Sequence, residues 1–450
     1  MELLLNTNSI YYLTMVEIKP FKATILNPEV ANRDELICPV YDTIDAAQYA
    51  RYSLRRDNVI HFTTRRQGMN EREFVSYARE NLERMFNEGI LIECENPALY
   101  IYGISYKLSS ELMNQIHEEN RRETYFAFGL VALVKLEKLN EHLIFGHENT
   151  FESNTDERYR LMKECGMNFA PIVAAYKMPH HKINRIFERY IGFSMPGMSV
   201  EKKPLVDVSL NGSRHLLWEI SDDELVEEIQ QLMLDRKIMI LDGHHRYTAS
   251  YWLSKSGGPA YTLMMLLEED DSALLLLPWH RCLRRCRMHT LWEQIRSNFY
   301  VEACDDGDGD GDSIYAKLRE CNGDFDVRVC MYDRENFYLL RADERKIRDL
   351  SEKKGERVGL DVISLHEWLI EPVLEGNPAE ELIFTASPGE AIEGVNNGTF
   401  RVAFFLKPPK IADVEYKAMV EKKELPQKST LFLPKVAEGV VMRRFQRDCD

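Results

Sequence analysis

Residues 237–253 read KIMILDGHHRYTASYWL, and the order of residue types in this stretch decides the fold class. The run at 237–241 is short and apolar, which suits a buried strand. Helical character follows from Tyr247 through Leu253. Between them stands Asp242-Gly243-His244-His245-Arg246. A buried strand that turns through a glycine into a helix belongs to folds with a covered sheet. Gly243 permits close backbone approach and an unusual φ. The first N–H groups of the helix lack partners within it, so they can receive phosphate oxygens. Arg246 can pair with a phosphate bidentately. His244 or His245 can add a donor or serve as acid or base. Asp242 can orient a histidine or bind Mg²⁺. The competing reading is a capped turn whose histidines satisfy local backbone groups.

Outward from this turn, the pattern predicts strands over 99–106, 125–136, 261–267 and 273–277, the last two central. A helix is expected over 71–88, with Phe74, Tyr77, Ala78, Leu82 and Met85 on one face and Gly89 past its end. Thr155 or Asn154 caps another helix through about Cys165, and Ser221 with Glu224 forms a capping box. A hairpin is expected from 327–332 and 337–340, a helix over 361–375 and a buried strand over 402–406. This mixed order predicts an α/β (or α+β) fold: a mixed sheet core over 16–300 and a smaller C-terminal region over 313–450. The run DDGDGDGD at 305–312 reads as the linker. Asp306, Asp308 and Asp310 mimic a Ca²⁺ loop, but Lys317 stands where its bidentate Glu is needed.

The bulk properties narrow the function classes. A chain of 450 residues, 44% apolar, can bury a sizeable core in two or three units. The formal net charge of −16 is unhelpful for sequence-independent nucleic-acid binding, so nucleic acid is not an expected partner. Nine cysteines at irregular spacings favour reduced thiols and a cytoplasmic location over a disulfide framework. The opening MELLLNTNSIYYLTM lacks a basic start and a long apolar run, so neither a signal peptide nor a membrane anchor is expected. A start at Met15 also suits the strand-like pattern that begins at Val16.

Three further clusters can carry chemistry. Gly146-His147-Glu148-Asn149-Thr150, followed by Asp156 and Arg158, sits past an apolar strand. His147 and Glu148 can work as an acid/base pair, and Glu148 or Asp156 can hold a metal. A surface loop that caps the next helix is the alternative. Pro278-Trp279-His280-Arg281 offers another base and another phosphate-pairing cation. Cys282, Cys286 and His289 nearby lack the paired spacing that zinc needs. Pro426-Gln427-Lys428-Ser429-Thr430, continuing to Phe432, Pro434 and Lys435, can touch an anion or simply pack over the core.

Taken together, these blocks resemble domain-of-unknown-function family 1015 from about Lys19 to Met442. The resemblance rests on Pro39-Val40-Tyr41-Asp42, His147-Glu148 with Thr150, Asp156 and Arg158, His215 and Trp218, Asp242 to Tyr247, Pro278 with His280 and Arg281, and Pro426 to Lys435. The Asp-Gly-His-His-Arg turn also looks like the phosphate-binding turn of the ParB and sulfiredoxin-like superfamily. That superfamily includes nucleotide-dependent free-serine kinases and CTP-hydrolysing partition proteins. This likeness implies that Gly243 to Arg246 hold nucleotide phosphates. Sulfiredoxin carries a reactive Cys in its turn where His244 stands here, which argues against sulfinic-acid reduction.

Two function classes follow. The first is a Mg²⁺-dependent phosphotransferase that uses ATP, ADP or CTP and acts on a small hydroxyl-bearing metabolite such as serine. Its phosphate-binding residues would be Asp242, Gly243, His244, His245, Arg246, His280 and Arg281. Asp42, His147, Glu148 and His245 are its candidate catalytic groups. The second is a nucleotide-binding switch that hydrolyses slowly, if at all.

Overall fold

A computed structural model describes residues 15–149, 152–194, 199–304, 315–318, 326–355 and 360–445. The expected linker at 305–312 and Thr150 lie outside the described residues. The fold is mixed α/β, built on two sheets.

The strand Tyr125–Lys135 forms the middle of the first sheet. Its residues alternate between two apolar cores. Ala127, Val131 and Leu133 face one, while Phe128, Leu130, Ala132 and Val134 face the other. Burial on both sides is why this stretch reads as a continuous apolar run rather than an alternating one. It pairs antiparallel with Leu99–Tyr106 on one flank and Tyr261–Glu268 on the other. Beyond the first flank lie Ser213–Ile220 and Val206–Leu210. Beyond the second lie Ile172–Tyr176, Ile238–Asp242 and the short Ile144–Phe145.

The pairing of these last three strands creates the site. Ile238–Asp242 runs antiparallel to Ile172–Tyr176, with an irregularity between Ile240 and Asp242. It runs parallel to Ile144–Phe145, so the chain leaves both strands at the same end of the sheet. Gly146 and Gly243 therefore follow neighbouring strand ends. Helix His244–Lys255 leaves the second of them and packs on helix Glu152–Cys165 through Ala249, Leu253 and Met162.

The second sheet is antiparallel throughout. Its order is Phe299–Cys304, Phe337–Ala342, Arg328–Tyr332, Val402–Phe405, His280–Leu283 and Leu382–Thr385. The hairpin expected across Asp333–Asn336 is present within it. From there the chain returns to make three separate two-stranded pairings with earlier segments. Leu431–Leu433 pairs with Leu275–Leu277, Ala437–Glu438 with Cys38–Pro39, and Arg443–Arg444 with Met167–Asn168. The expected central strand at 273–277 is thus a three-residue partner of this returning segment, outside both large sheets.

Local signals fared well where they were short-range. Helix Glu71–Asn87 buries Phe74, Ala78, Leu82 and Met85, and Gly89 follows it with φ +70°. The cap of helix Asp223–Met233 is Asp222 rather than Ser221. The Asp222 carboxylate accepts the Leu225 N–H at 2.9 Å, an ion–dipole bond stronger than a serine would make. The helix expected over 361–375 runs from Asp361 to Leu365 and then widens into a π-turn over His366–Ile370. Among the described residues, no helix is long and apolar enough to cross a membrane.

Candidate functional site

Gly243 adopts φ +94° and ψ +30°, a left-handed conformation that side chains disfavour. The turn it makes aims the start of helix His244–Lys255 away from the sheet end. No side chain caps that helix. The Tyr247 N–H is the first to bond within it, to the Gly243 carbonyl at 2.9 Å. Helix geometry gives the N–H groups of a first turn no acceptor within the helix itself, so they point out of its start.

Arg246 does not extend outward. Its guanidinium folds beneath the turn, so that a Cβ on Gly243 would meet Arg246 Nε and Nη2 at 2.9 Å. Arg246 Nη1 donates to the Pro171 carbonyl at 2.8 Å, and Nη2 stands 3.9 Å from Asp242 Oδ1. Lys435, from the returning segment, donates to Asp242 Oδ2 at 3.1 Å. Burial opposes ionisation of Asp242, but Lys435 and Arg246 outweigh it and hold the carboxyl well below the usual range.

The two histidines of the turn differ. His244 is buried against His147, their ring centroids 4.7 Å apart and nearly perpendicular. The His147 backbone N–H donates to His244 Nε2 at 3.3 Å, so that nitrogen is an acceptor. Burial and the neighbouring His147 push the His244 pKa well below that of free imidazole. His245 is half-buried. Burial lowers its pKa, while the charge of Asp42 works the other way. Asp42 itself is exposed in the short turn Tyr41–Thr43.

The second cluster meets the first. His147 Nε2 and the Thr430 hydroxyl are 2.8 Å apart, and that hydroxyl donates to Glu148 Oε1 at 3.1 Å. Burial lowers the His147 pKa to about 4 and keeps the ring neutral at pH 7. Burial raises the pKa of Glu148, opposed by Lys428 and Thr430. Lys428 also acts on Asp242 and His245.

The third cluster is placed differently. His280 lies in the second sheet, fully buried. Its Nε2 bonds the Tyr315 hydroxyl at 2.7 Å and its Nδ1 faces the Leu406 N–H at 3.4 Å. Burial, with Arg281 adding to it, lowers its pKa to about 3. Arg281 is also fully buried, and its three nitrogens are committed. They reach the Trp279 carbonyl, the Lys428 carbonyl at 3.0 Å and His366 Nε2 at 3.3 Å. Trp279 Nε1 donates to the Thr430 carbonyl at 3.1 Å. Arg281 and Trp279 therefore fix the loop that brings Lys428, Thr430 and Lys435 to the turn, and the Arg281 charge is felt with that of Glu148.

Arg158, Tyr41 and Glu438 also converge here, although none ranks among the residues expected to bind phosphate or catalyse. Arg158 is 4% exposed, stacks 4.0 Å from the Tyr41 ring and donates to the Thr63 carbonyl at 2.7 Å. The signal for Arg158 was its place in a helix that follows His147-Glu148. Lys435 belongs to the Pro426–Lys435 segment expected to touch an anion or pack over the core, whereas Glu438 carried no local signal.

For metal binding, no group of three or more His, Cys, Asp and Glu side chains stands together among the described residues. Mg²⁺ ordinarily takes one or two carboxylates beside phosphate oxygens and water. Asp42 and Asp242 fit that lesser demand.

The family profile described as "Protein of unknown function (DUF1015)" matches residues 18–363. The chain belongs to this family. The turn, His147-Glu148 and Arg281 all fall inside the matched DUF1015 region, whereas Thr430 and Lys435 fall beyond it. No curated protein matches the chain. Solved structures similar to it include a free serine kinase in complex with AMP, at 13% identity and TM-score 0.34, spanning 66% of this chain and 93% of that one. SbnI with a C-terminal truncation, from Staphylococcus aureus, is 13% identical at TM-score 0.38 and spans 71% of this chain and 90% of its own. A conserved hypothetical protein from Pyrococcus furiosus is 12% identical at TM-score 0.33, over 64% of this chain and 87% of its own. Likeness at these scores assigns no activity to the DUF1015 chain.

Proposed function

We propose that this protein binds the phosphates of a nucleotide at the start of helix His244–Lys255 and transfers a phosphoryl group to a small hydroxyl-bearing metabolite. One observation carries the reading: a single returning segment sets Lys435 on Asp242 of the turn and the Thr430 hydroxyl between His147 and Glu148, so a cation and a carboxyl meet beside the helix start. Phosphoryl transfer needs positioned phosphates, charge neutralisation and a group that orients the nucleophile. The N–H groups at the turn would meet the first need, and Lys428 and Lys435 the second. Glu148 would meet the third, because burial raises its affinity for the proton of an acceptor hydroxyl. In that step the acceptor oxygen bonds the terminal phosphorus, the bond from phosphorus to the bridging oxygen breaks, the proton passes to Glu148 and the shortened nucleotide leaves. Bound Mg²⁺ would neutralise the phosphate oxygens, with Asp42 or Asp242 as its protein ligand.

The experiment is thermal-shift screening with ATP, ADP and CTP plus Mg²⁺, followed by a phosphotransfer assay against serine and a panel of sugars and hydroxy acids. The reading expects a shift with one nucleotide and a labelled product. Absence of any shift would sink both binding and transfer. A shift without product would leave a nucleotide-responsive switch.

A further inference from the structure

The end of the first sheet opposite the turn carries a second cavity. Asp242 pairs with Val173 at one end of strand Ile172–Tyr176, and Glu268 pairs with Tyr176 at the other. Just past Glu268 lies an open cavity of about 390 Å³, far more than a water molecule needs. One wall is aromatic. Phe126, Phe128 and Phe193 stand with ring centroids 4.8–5.1 Å apart, and Phe126 and Phe193 are only partly buried.

The facing wall is polar and held in place. Helix Lys182–Ile191 is entered through His180 and His181, both left-handed at φ +61° and +49°. Side chains disfavour that conformation, so a partner must hold it. The Glu268 carboxylate, 1% exposed, accepts from His181 Nδ1 at 2.8 Å and from the N–H groups of Ile183 at 3.1 Å and Asn184 at 3.0 Å. This lock sets His181 and Asn184 at the cavity.

Asn184 narrows the choice of ligand. It is 9% exposed, and its Nδ2 donates to Asp271 Oδ2 at 3.1 Å. A carboxylate can bond only the amide NH₂, so the amide orientation is fixed. Oδ1 is left buried with no partner among the described residues. A buried acceptor left unmade is costly, so it calls for a donor. Glu188, Asp270 and Asp271 line the cavity and make a cationic donor the best fit. Arg185 lines it too, exposed and without an ion pair among the described residues. Arg122, the other lining guanidinium, gives Nη1 to the carbonyls of Glu119 and Arg121. Both signs of charge are thus present, which suits a ligand carrying both. Water could satisfy Asn184 but not the phenyl wall.

We propose that this cavity binds a free α-amino acid with a phenyl-sized apolar side chain. Its ammonium donates to Asn184 Oδ1 beside Asp271, its carboxylate pairs with Arg185, and its side chain covers Phe126 and Phe193. The site is separate from the turn and stands whether or not the turn binds nucleotide.

The test is calorimetric titration of the full-length protein with L-phenylalanine, phenethylamine and 3-phenylpropionate. Saturable binding of phenylalanine is expected, with each truncated ligand weaker by about tenfold or more, the worth of one charged hydrogen bond. Arg185→Gln, on an exposed side chain, should weaken phenylalanine by about tenfold and leave phenethylamine unchanged. Lys435→Met, at the turn, should leave phenylalanine binding as it is. No saturable binding of phenylalanine up to about 10 mM would overturn the proposal. So would an Arg185→Gln protein with the parent's affinity, or loss of binding in Lys435→Met, which would move the amino acid to the turn.

Discussion

Gly243 lies flat on the guanidinium of Arg246, so close that a Cβ at position 243 would stand 2.9 Å from Arg246 Nε. The contact joins two requirements at one residue, since the backbone there also needs φ +94°. Gly243→Ala should therefore act twice, through left-handed strain and by displacing Arg246 from the Pro171 carbonyl. We expect a loss of about 1–3 kcal/mol of stability and of the nucleotide-dependent thermal shift. Urea unfolding and the thermal-shift screen measure the two effects. Full stability in the variant would show that the turn can relax away from the guanidinium.

Lys435 carries the second prediction. It is the nearest cation to Asp242, and with Arg246 it holds that carboxyl ionised against its burial. A carboxyl depressed in the folded state contributes stability above its unfolded pKa, and the contribution fades as pH falls through the folded value. Lys435→Met should thus cost about 1–3 kcal/mol at pH 7. The gap between variant and parent should narrow below about pH 4, where the unfolded carboxyl takes up its proton. Urea titrations at pH 7 and pH 3.5 would show this, and a gap that widens in acid would contradict it.

The contrast between Gly243 and Lys435 also shows what the chain discloses on reading. The strand Ile238–Asp242, the glycine turn and the helix to Lys255 are encoded within eighteen residues, by apolar run, left-handed glycine and helix formers. Period and turn chemistry are local, so the turn was legible. Lys435 reaches Asp242 across 193 residues of sequence, and Thr430 reaches His147 across 283. No spacing rule reports such contacts. Arg281 and His280 shared the residue types of a phosphate site, but their strand belongs to the second sheet, where both are committed internally. Which sheet a short strand joins depends on long-range pairing, which residue type does not encode.

Buried neutral histidines set the third prediction. Burial lowers the pKa to about 4 in His147 and His215, and to about 3 in His280 and His366. Here the unfolded state takes up protons near pH 6.5 while the folded state does not. Stability should therefore rise with pH from about 4 to 6.5, by up to about 1.4 kcal/mol per pH unit for each such histidine. Urea melts at pH 5, 6 and 7 would trace the slope. His280→Gln, remote from the turn, should reduce it by one histidine's share whatever its effect at pH 7.

Thr430 supplies the last prediction, because its hydroxyl joins His147 to Glu148 and its carbonyl holds Trp279. Thr430→Val keeps the shape and the backbone contact but removes the hydroxyl. Two buried polar groups then lose a partner, at a cost of about 1–3 kcal/mol. If Glu148 receives the acceptor's proton, loss of the Thr430 hydroxyl should raise the Glu148 pKa further, since that bond favours the carboxylate. The acid limb of the phosphotransfer rate should then move to higher pH. Nucleotide binding at the helix start should change little, because Lys428 and Lys435 stay on the loop that Arg281 holds. A rate profile that keeps its acid limb while overall rate drops would assign Thr430 a packing role and take Glu148 out of the proton transfer.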